Sequence, residues 1–243
     1  MKTKLVFAGI SLCAEHKTED LRRFCRKYLA QNEAPEEDDL QIMLTPGMLS
    51  EEHERAQKQG TEASESLVES LALCREFCRL AIWWDVLLFH SSAIAVDGEA
   101  YLFAAPSGTG KSTHTSFWRA HLGEKAVMIN DDKPFLRREN GVWFAYGSPW
   151  NGKHRLSTPM KASIKGICFL ARGEENEITP TTAQEGLSRL FVQTQRAVGE
   201  AEMRKQMELL GDLAAQVPLW SLRCTASIEA AKIAYAAMAG GSK

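Results

Sequence analysis

Residues 105–113, A-P-S-G-T-G-K-S-T, constrain the fold of this chain more than any other part of its sequence. An apolar run over residues 101–104 precedes this glycine-lysine segment, and a helical pattern over residues 112–121 follows it. A strand that passes through a glycine-rich turn into a helix is typical of α/β proteins, which place such turns at the carboxyl ends of strands. The segment therefore predicts an α/β core built around a strand, loop and helix unit.

The glycine-lysine segment also predicts an anion site. Gly108 and Gly110 allow backbone angles that other residues avoid, so successive N–H groups can turn toward one point at the start of the helix. Lys111 would neutralise nucleotide β and γ phosphates, and the Ser112 hydroxyl is the expected protein ligand of Mg²⁺. The expected nucleotide contacts are Ser107, Gly108, Thr109, Gly110, Lys111, Ser112 and Thr113. Ala105 replaces the first glycine of the motif G-x-x-x-x-G-K-[ST], and a glycine-rich turn with an exposed lysine is the alternative.

Two adjacent carboxylates follow the next apolar strand. Residues 126–129 read as a strand that leads to Asp131 and Asp132, where an α/β sheet places its ligand-facing loops. Beside Mg²⁺, one carboxylate can hold the metal or its water while the other accepts a proton from an attacking hydroxyl. We assign Asp132 to the metal and Asp131 to base catalysis. The two roles can also be exchanged, and a pair of solvated loop acids is the alternative without chemistry.

A third candidate element is the basic loop, residues 147–157, which reads G-S-P-W-N-G-K-H-R-L-S. Turn-forming residues there surround Lys153, His154 and Arg155, whose cations can stabilise charge on a transferred phosphoryl group. Arg155 is the first choice for this catalytic role. A solvated basic turn is the alternative.

Charge and hydropathy exclude several classes of function. The net charge is -2, so the chain carries no global positive field for nucleic acid or anionic lipid. Residues 1–100 hold 11 basic and 18 acidic side chains, whereas residues 101–243 hold 18 and 13, which places an anion site in the second part. The longest apolar stretch, residues 80–89, is interrupted by Asp85 and is too short to span a membrane. With six scattered cysteines as reduced thiols, we expect a cytoplasmic protein that binds neither nucleic acid nor membranes.

Periodicity and turn signals predict the remaining architecture. Asp97-Gly98 and Asn140-Gly141 suit the positive φ angles of tight hairpin turns, and Thr182 with Glu185 forms a capping box that opens a helix. Further predictions are a first strand over residues 4–12, a helix over residues 18–30 and a long helix over residues 62–84. We therefore predict a core with a mixed β-sheet and flanking helices over residues 86–243. Residues 1–85 are predicted to form a small α+β extension packed on this core.

The strings F-H-S-S-A-I-A-V-D-G-E-A-Y-L-F-A-A-P-S-G-T-G-K-S-T and I-N-D-D-K-P together resemble the catalytic core of HPr kinase/phosphorylase. They resemble ATP-dependent phosphoenolpyruvate carboxykinase more distantly. The resemblance covers residues 88–171 and implies a P-loop core of the HPr kinase C-terminal domain type. It carries over five site residues: His90, Lys111, Ser112, Asp131 and Asp132. His90 then supports the catalytic aspartate.

The resemblance implies a kinase that transfers the γ phosphate of ATP, with Mg²⁺, to a hydroxyl acceptor. The acceptor is a serine of a peptide or protein, or a small molecule, and its identity stays open, as do GTP or pyrophosphate as donors and reverse phosphorolysis. A homo-oligomer also stays open, because HPr kinases assemble as hexamers. Two alternatives lack an acceptor: a P-loop NTPase whose aspartates position water, and a nucleotide-sensing regulatory module.

Overall fold

The computed structural model describes residues 1–32 and 34–240, and Glu33 and residues 241–243 lie outside this description. The chain divides into two compact units, Met1–Ala81 and Ile82–Lys243. This division falls within residues 62–84, for which the sequence predicted a single long helix. The packing of the first unit on the second stays a prediction.

The first unit combines a small sheet with helices. Its elements, among the residues described, are β1 (Lys2–Phe7), β2 (Ile10–Glu15), α1 (Glu19–Phe24), β3 (Leu40–Met43), α2 (Pro46–Lys58) and α3 (Glu65–Ala81). Strand β2 lies in the middle of the sheet, antiparallel to β1 and parallel to β3. The predicted single strand over residues 4–12 is wrong, because the chain turns at Ala8 and Gly9, which both have positive φ angles. The predicted helix over residues 18–30 is shorter, ending at Phe24 before a 3₁₀ turn.

The second unit holds the predicted core. Its elements are β4 (Val86–Leu88), β5 (Ser91–Val96), β6 (Glu99–Ala104), α4 (Lys111–Leu122), β7 (Ala126–Asn130), β8 (Phe135–Glu139), β9 (Val142–Tyr146), β10 (Lys161–Arg172), β11 (Glu177–Thr181), α5 (Ala183–Gln193), α6 (Glu200–Gln216), β12 (Leu219–Cys224) and α7 (Ile228–Gly240). Both predicted hairpins are confirmed. Asp97-Gly98 joins β5 to β6, Asn140-Gly141 joins β8 to β9, and all four residues have positive φ angles.

The strands of this unit pair in one mixed sheet. Strand β10 runs parallel to β6 on one side, while on its other side β9 pairs with its first residues and β12 with its last. Strand β5 lies antiparallel between β6 and β7. It follows that β6, β7, β10 and β12 run in the same direction, so the segments after them emerge at one edge of the sheet.

Helices cover both faces of the sheet. Side chains alternate along β5, so Ala93 packs in an apolar cluster with α5 and α6, and Ile94 packs in another cluster with α4 and α7. Trp118 of α4 is fully buried in the second cluster. The prediction of an α/β unit with a mixed sheet and flanking helices is therefore confirmed. Within the described ranges, no helix is both long and apolar enough to cross a membrane.

Candidate functional site

The glycine-lysine segment connects β6 to α4, as the sequence predicted. Gly108 and Gly110 have φ angles of 77° and 123°, which L side chains rarely adopt. Apart from the glycine itself and its two chain neighbours, a Cβ atom on either glycine would have no described atom within 4 Å, so open space borders the segment. Helix α4 begins directly after Gly110, and the first N–H groups of a helix have no partner within the helix. The segment therefore has the backbone form and the dipole direction of an anion site.

Lys111 is the first residue of α4 and is buried. Its Nζ atom donates a hydrogen bond to the carbonyl oxygen of Ala105 at 2.9 Å. Burial lowers the pKa of Lys111, although the negative charge of Asp132 opposes this shift. Ser112 is half-buried and Thr113 is exposed. The backbone carbonyl of Ala105 thus holds the Lys111 ammonium against the loop that precedes α4.

Asp132 lies against His90. The Nε2 atom of His90 is 3.2 Å from Asp132 Oδ1. The Nδ1 atom of the same ring is 3.1 Å from Gln193 Oε1. Because a carboxylate accepts hydrogen bonds, Nε2 of the ring carries the proton. Burial works against the charge on Asp132, but His90 and Lys133 outweigh it and the pKa of Asp132 is lowered. The charged form of Asp132 is therefore favoured, and its negative charge also acts on Lys111, where it works against the lowering of the pKa by burial.

Asp131 has a different environment. Only 2% of its surface is exposed, and its Oδ1 atom accepts a hydrogen bond from the amide of Gly152 at 2.6 Å. Its Oδ2 atom is buried and has no hydrogen-bond partner among the residues that the structure describes. Burial raises the pKa of Asp131, although the Gly152 amide opposes the shift. The neighbouring carboxylates therefore differ in accessibility and in proton affinity.

Asn130 organises both aspartates and the basic loop, and it was not among the predicted site residues. Its Oδ1 atom accepts hydrogen bonds from the amides of Asp132 and Lys133, at 2.8 and 2.7 Å. Its Nδ2 group donates to the carbonyl and hydroxyl oxygens of Ser148, and the Trp150 carbonyl lies at 3.4 Å. An asparagine at the end of an apolar strand, directly before two acids, was the available signal, because asparagine readily forms such turns.

The basic loop covers Asp131 through its backbone. The carbonyl of Leu156 accepts from the Asp131 amide at 3.1 Å, in addition to the contact from Gly152 to the Asp131 side chain. Lys153, His154 and Arg155 are exposed at the tip of the loop, and Arg155 has a positive φ angle. Within residues 1–32 and 34–240, Arg155 forms no ion pair with either aspartate. The structure thus brings the loop to Asp131, while the predicted role of Arg155 stays a prediction.

These segments meet at the edge where the parallel strands end. Ser91, next to His90, pairs with Ala104 at the end of β6, and its amide donates to the Asp132 carbonyl at 3.0 Å. The Ser112 hydroxyl and the carboxylates supply the oxygen ligands that Mg²⁺ prefers. Among them, Asp131 Oδ2 accepts no hydrogen bond from the described residues, so this oxygen is free to bind a metal ion. The residues therefore fit a magnesium nucleotide. No cluster of three or more histidine, cysteine, aspartate or glutamate residues that could hold a metal occurs in the described part.

Comparisons with known proteins give a distant structural likeness. No protein-family model matches the chain, and no curated protein matches it. Solved structures do match, among them the Hpr(Ser) kinase/phosphatase from Coxiella burnetii. That match is 10% identical in sequence, covers 63% of this chain and 93% of that chain, and has a TM-score of 0.38. At these values it is a distant structural relationship.

Proposed function

We propose that this chain is an ATP-dependent phosphotransferase with an HPr kinase-like core, which moves the γ phosphate of ATP to a hydroxyl acceptor. One observation carries the proposal: the glycine-lysine segment and the Asp131-Asp132 pair lie at the same edge of the sheet. Phosphoryl transfer needs little covalent chemistry from a protein, and it needs phosphate positioning together with a group that takes the acceptor's proton. The two segments supply these two requirements.

The glycine-lysine segment binds the phosphates in this proposal. Amides after Gly108 and at the start of α4 donate to phosphate oxygens, and the Lys111 ammonium moves from the Ala105 carbonyl to the β and γ phosphates. Because Lys111 is buried, its charge acts through a lower dielectric than that of an exposed lysine. Ser112 and Asp132 hold Mg²⁺, which neutralises charge on the phosphates when it is bound.

Asp131 accepts the acceptor's proton in this proposal. As the acceptor oxygen bonds to the γ phosphorus, its proton passes to the carboxylate, and the bond from that phosphorus to the bridging oxygen of ADP breaks. The raised pKa of Asp131 supports this role, since a stronger base takes a proton more readily. The lowered pKa of Asp132 supports the metal role, because that carboxylate stays charged.

The contact between His90 and Asp132 supports the exchanged roles instead. The family resemblance pairs the histidine with the catalytic aspartate, and in this chain the histidine lies 3.2 Å from Asp132. In the exchanged form Asp132 accepts the proton with His90 beside it, and the unpaired oxygen of Asp131 faces the metal or its water. In the first form the Mg²⁺ concentration needed for activity depends on Asp132, and in the exchanged form it depends on Asp131. This concentration can be measured.

The test uses γ-labelled ATP, Mg²⁺ and hydroxyl acceptors, namely serine peptides, proteins and small alcohols. We expect Asp131→Asn to lower kcat by about 10²- to 10⁴-fold with an unchanged magnesium requirement, and Asp132→Asn to raise that requirement. Asp97→Asn, at an exposed hairpin turn, is the matched control and should behave as wild type. The reverse pattern of the two variants would exchange their roles.

Other outcomes would replace the kinase proposal with an alternative. Turnover of ATP that is unaffected by every acceptor would identify an NTPase, with the carboxylates positioning water. Nucleotide binding without turnover, under every metal and acceptor, would identify a regulatory module. If Lys111→Ala binds the magnesium nucleotide as tightly as wild type does, the kinase, NTPase and regulatory-module hypotheses all lose their basis. Lys125→Ala, which changes an exposed lysine beyond the end of α4, is the control.

A further inference from the structure

The segment that follows α5, residues 193–197, lies alongside the residues that carry His90. The His90 amide donates to the Gln193 carbonyl at 2.7 Å, and the Gln195 amide donates to the Leu88 carbonyl at 2.9 Å. Between these two bonds, Phe89 and Thr194 form an antiparallel bridge. Residues 88–90 therefore have a backbone partner in the segment after α5, in addition to the pairing of β4 with β8.

A buried side chain of α6 fixes the segment after α5. Gln206 is only 2% exposed. Its Nε2 atom donates to the Gln195 carbonyl at 2.7 Å, and its Oε1 atom accepts from the Ala197 amide at 3.2 Å. Breaking these bonds would leave a buried amide unpaired, which is costly, so the segment has a defined position.

Gln193, the last residue of α5, contacts His90 at two points. Its carbonyl oxygen accepts from the His90 amide, and its side-chain amide lies 3.1 Å from His90 Nδ1. A glutamine amide carries both an acceptor and donors, so it can bond to Nδ1 whether or not this nitrogen carries a proton. Because partners at both ring nitrogens leave one orientation of an imidazole, the contact keeps Nε2 directed at Asp132.

The orientation of the His90 ring decides how Asp132 presents its two oxygens. His90 Nε2 lies 3.2 Å from Oδ1, whereas Lys133 Nζ is 3.9 Å from Oδ2, beyond hydrogen-bond distance. His90 thus leaves Oδ2 for Mg²⁺ or, in the exchanged form, for the acceptor's proton. A ring turned by 180° would place a carbon atom against Oδ1, and the carboxylate would lose this support.

We propose that Gln193 is a positioning residue of the candidate site, which holds the His90 imidazole so that Nε2 donates to Asp132. The role assigned to Gln193 rests on the proposed function, and it makes the end of α5 part of the phosphotransfer site. It is the same for either assignment of the aspartates, since His90 contacts Asp132 in both. Gln193 acts through the ring, so its loss should have no further effect once the ring is absent.

The test is a double-mutant cycle on phosphoryl transfer by the full chain at a fixed Mg²⁺ concentration. We expect Gln193→Met, which removes the amide and keeps an unbranched side chain, to lower kcat/KM about tenfold when His90 is present. In the His90→Ala background, the same change should alter kcat/KM by less than about twofold. Gln193→Glu keeps an oxygen acceptor for Nδ1 and should lose less activity than Gln193→Met. Gln193→Ala serves as the second variant if the methionine prevents folding.

Gln195→Met is the matched control, because it makes the same change two residues further along the segment. Within residues 1–32 and 34–240, the Gln195 side chain forms no hydrogen bond, and its contacts come from its backbone. Gln195→Met should therefore match wild type in kcat/KM.

A second measurement needs no acceptor. NMR of the histidine ring nitrogens, with the His90 signals identified by their loss in His90→Ala, reports which nitrogen carries the proton. Wild type should show a protonated Nε2. We expect Gln193→Met to shift the His90 signals and Gln195→Met to leave them in place.

Equal losses from Gln193→Met with and without His90 would overturn the proposed role, because the side chain would then act on the fold and not through the ring. Unchanged kcat/KM in Gln193→Met, or unchanged His90 signals, would also overturn it, and both results leave the proposed function in place. If the wild-type protein transfers phosphate to no acceptor, the proposed function fails. The NMR comparison then still decides whether Gln193 orients His90.

Discussion

Asn130 is fully buried, yet both ends of its amide are occupied by hydrogen bonds to two different loops. The oxygen fixes the turn that carries Asp132, and the nitrogen fixes Ser148 at the start of the basic loop. A buried amide is stable in this position because its polar atoms have partners, whereas an unpaired one is costly. At the residue scale, Asn130 therefore positions the proposed catalytic groups without touching the acceptor.

We expect Asn130→Asp to lower kcat by about 10- to 100-fold and to leave the Kd for MgATP within about threefold. The carboxylate keeps an acceptor for the Asp132 and Lys133 amides, but it replaces a donor with an acceptor beside the Ser148 carbonyl. This mismatch moves the basic loop while the glycine-lysine segment keeps its own contacts. Steady-state kinetics and calorimetry on the same sample separate the two effects.

The control for this variant is Asn140→Asp, the same chemical change at the exposed turn between β8 and β9. It should match wild type, since aspartate also tolerates the φ angle of 49° found there. Wild-type kcat in Asn130→Asp would show that the Asn130 amide does not position the carboxylates. An equal loss of MgATP affinity and kcat would point to general unfolding instead.

At the scale of helices and strands, local signals predicted those elements whose residues fit a known turn or cap. Thr182 and Glu185 exchange hydrogen bonds at the start of α5, as their spacing predicted. The hairpin of β1 and β2 was missed because it turns at Ala8, and alanine rarely adopts a φ angle of 49°. Strand β11 was missed because Pro180 interrupts its pattern and it lies at an edge, where proline is tolerated.

Helices α2 and α3 are joined by a buried carboxylate. Glu52 of α2 is 3% exposed and accepts hydrogen bonds from Arg55 of its own helix and from Arg75 of α3. Burial opposes the charge of Glu52, but the two guanidinium groups outweigh it and its pKa is lowered. The folded state therefore holds the proton on Glu52 more weakly than the unfolded chain does, so the interaction stabilises the fold where Glu52 is ionised.

We expect Glu52→Gln to destabilise the protein by about 1–2 kcal/mol at pH 7, since the two arginines are partly exposed and can regain water. The difference from wild type should shrink as the pH falls below about 4, where Glu52 of the wild type takes up its proton. Urea unfolding followed by circular dichroism at pH 7, 4 and 3 measures this trend. Glu51→Gln, which also removes a partner of Arg55 but lies at the surface, should change stability by less than about 0.5 kcal/mol.

At the scale of the whole molecule, the proposed site draws on segments that are far apart in the sequence. The glycine-lysine segment and the two aspartates were each recognisable by local pattern. Their arrangement depends on strand order, and in particular on β5, which lies antiparallel between β6 and β7. Pairings between distant strands have no local signal in one sequence, so the contact of Gln193 with His90 was not predicted.

The second unit contains every residue assigned to the proposed site, and its apolar clusters are built from its own elements. We therefore expect a fragment of residues 82–243 to fold and to bind MgATP with a Kd within about threefold of the full chain, because a unit with its own core can fold alone. Thermal unfolding followed by circular dichroism shows whether the fragment folds cooperatively, and calorimetry measures its binding of MgATP. The control is the same fragment with Lys111→Ala, which should not bind. A fragment that folds cooperatively but binds nucleotide much more weakly would show that residues 1–81 contribute to the site. A fragment without cooperative unfolding would show that the second unit depends on the first for its stability.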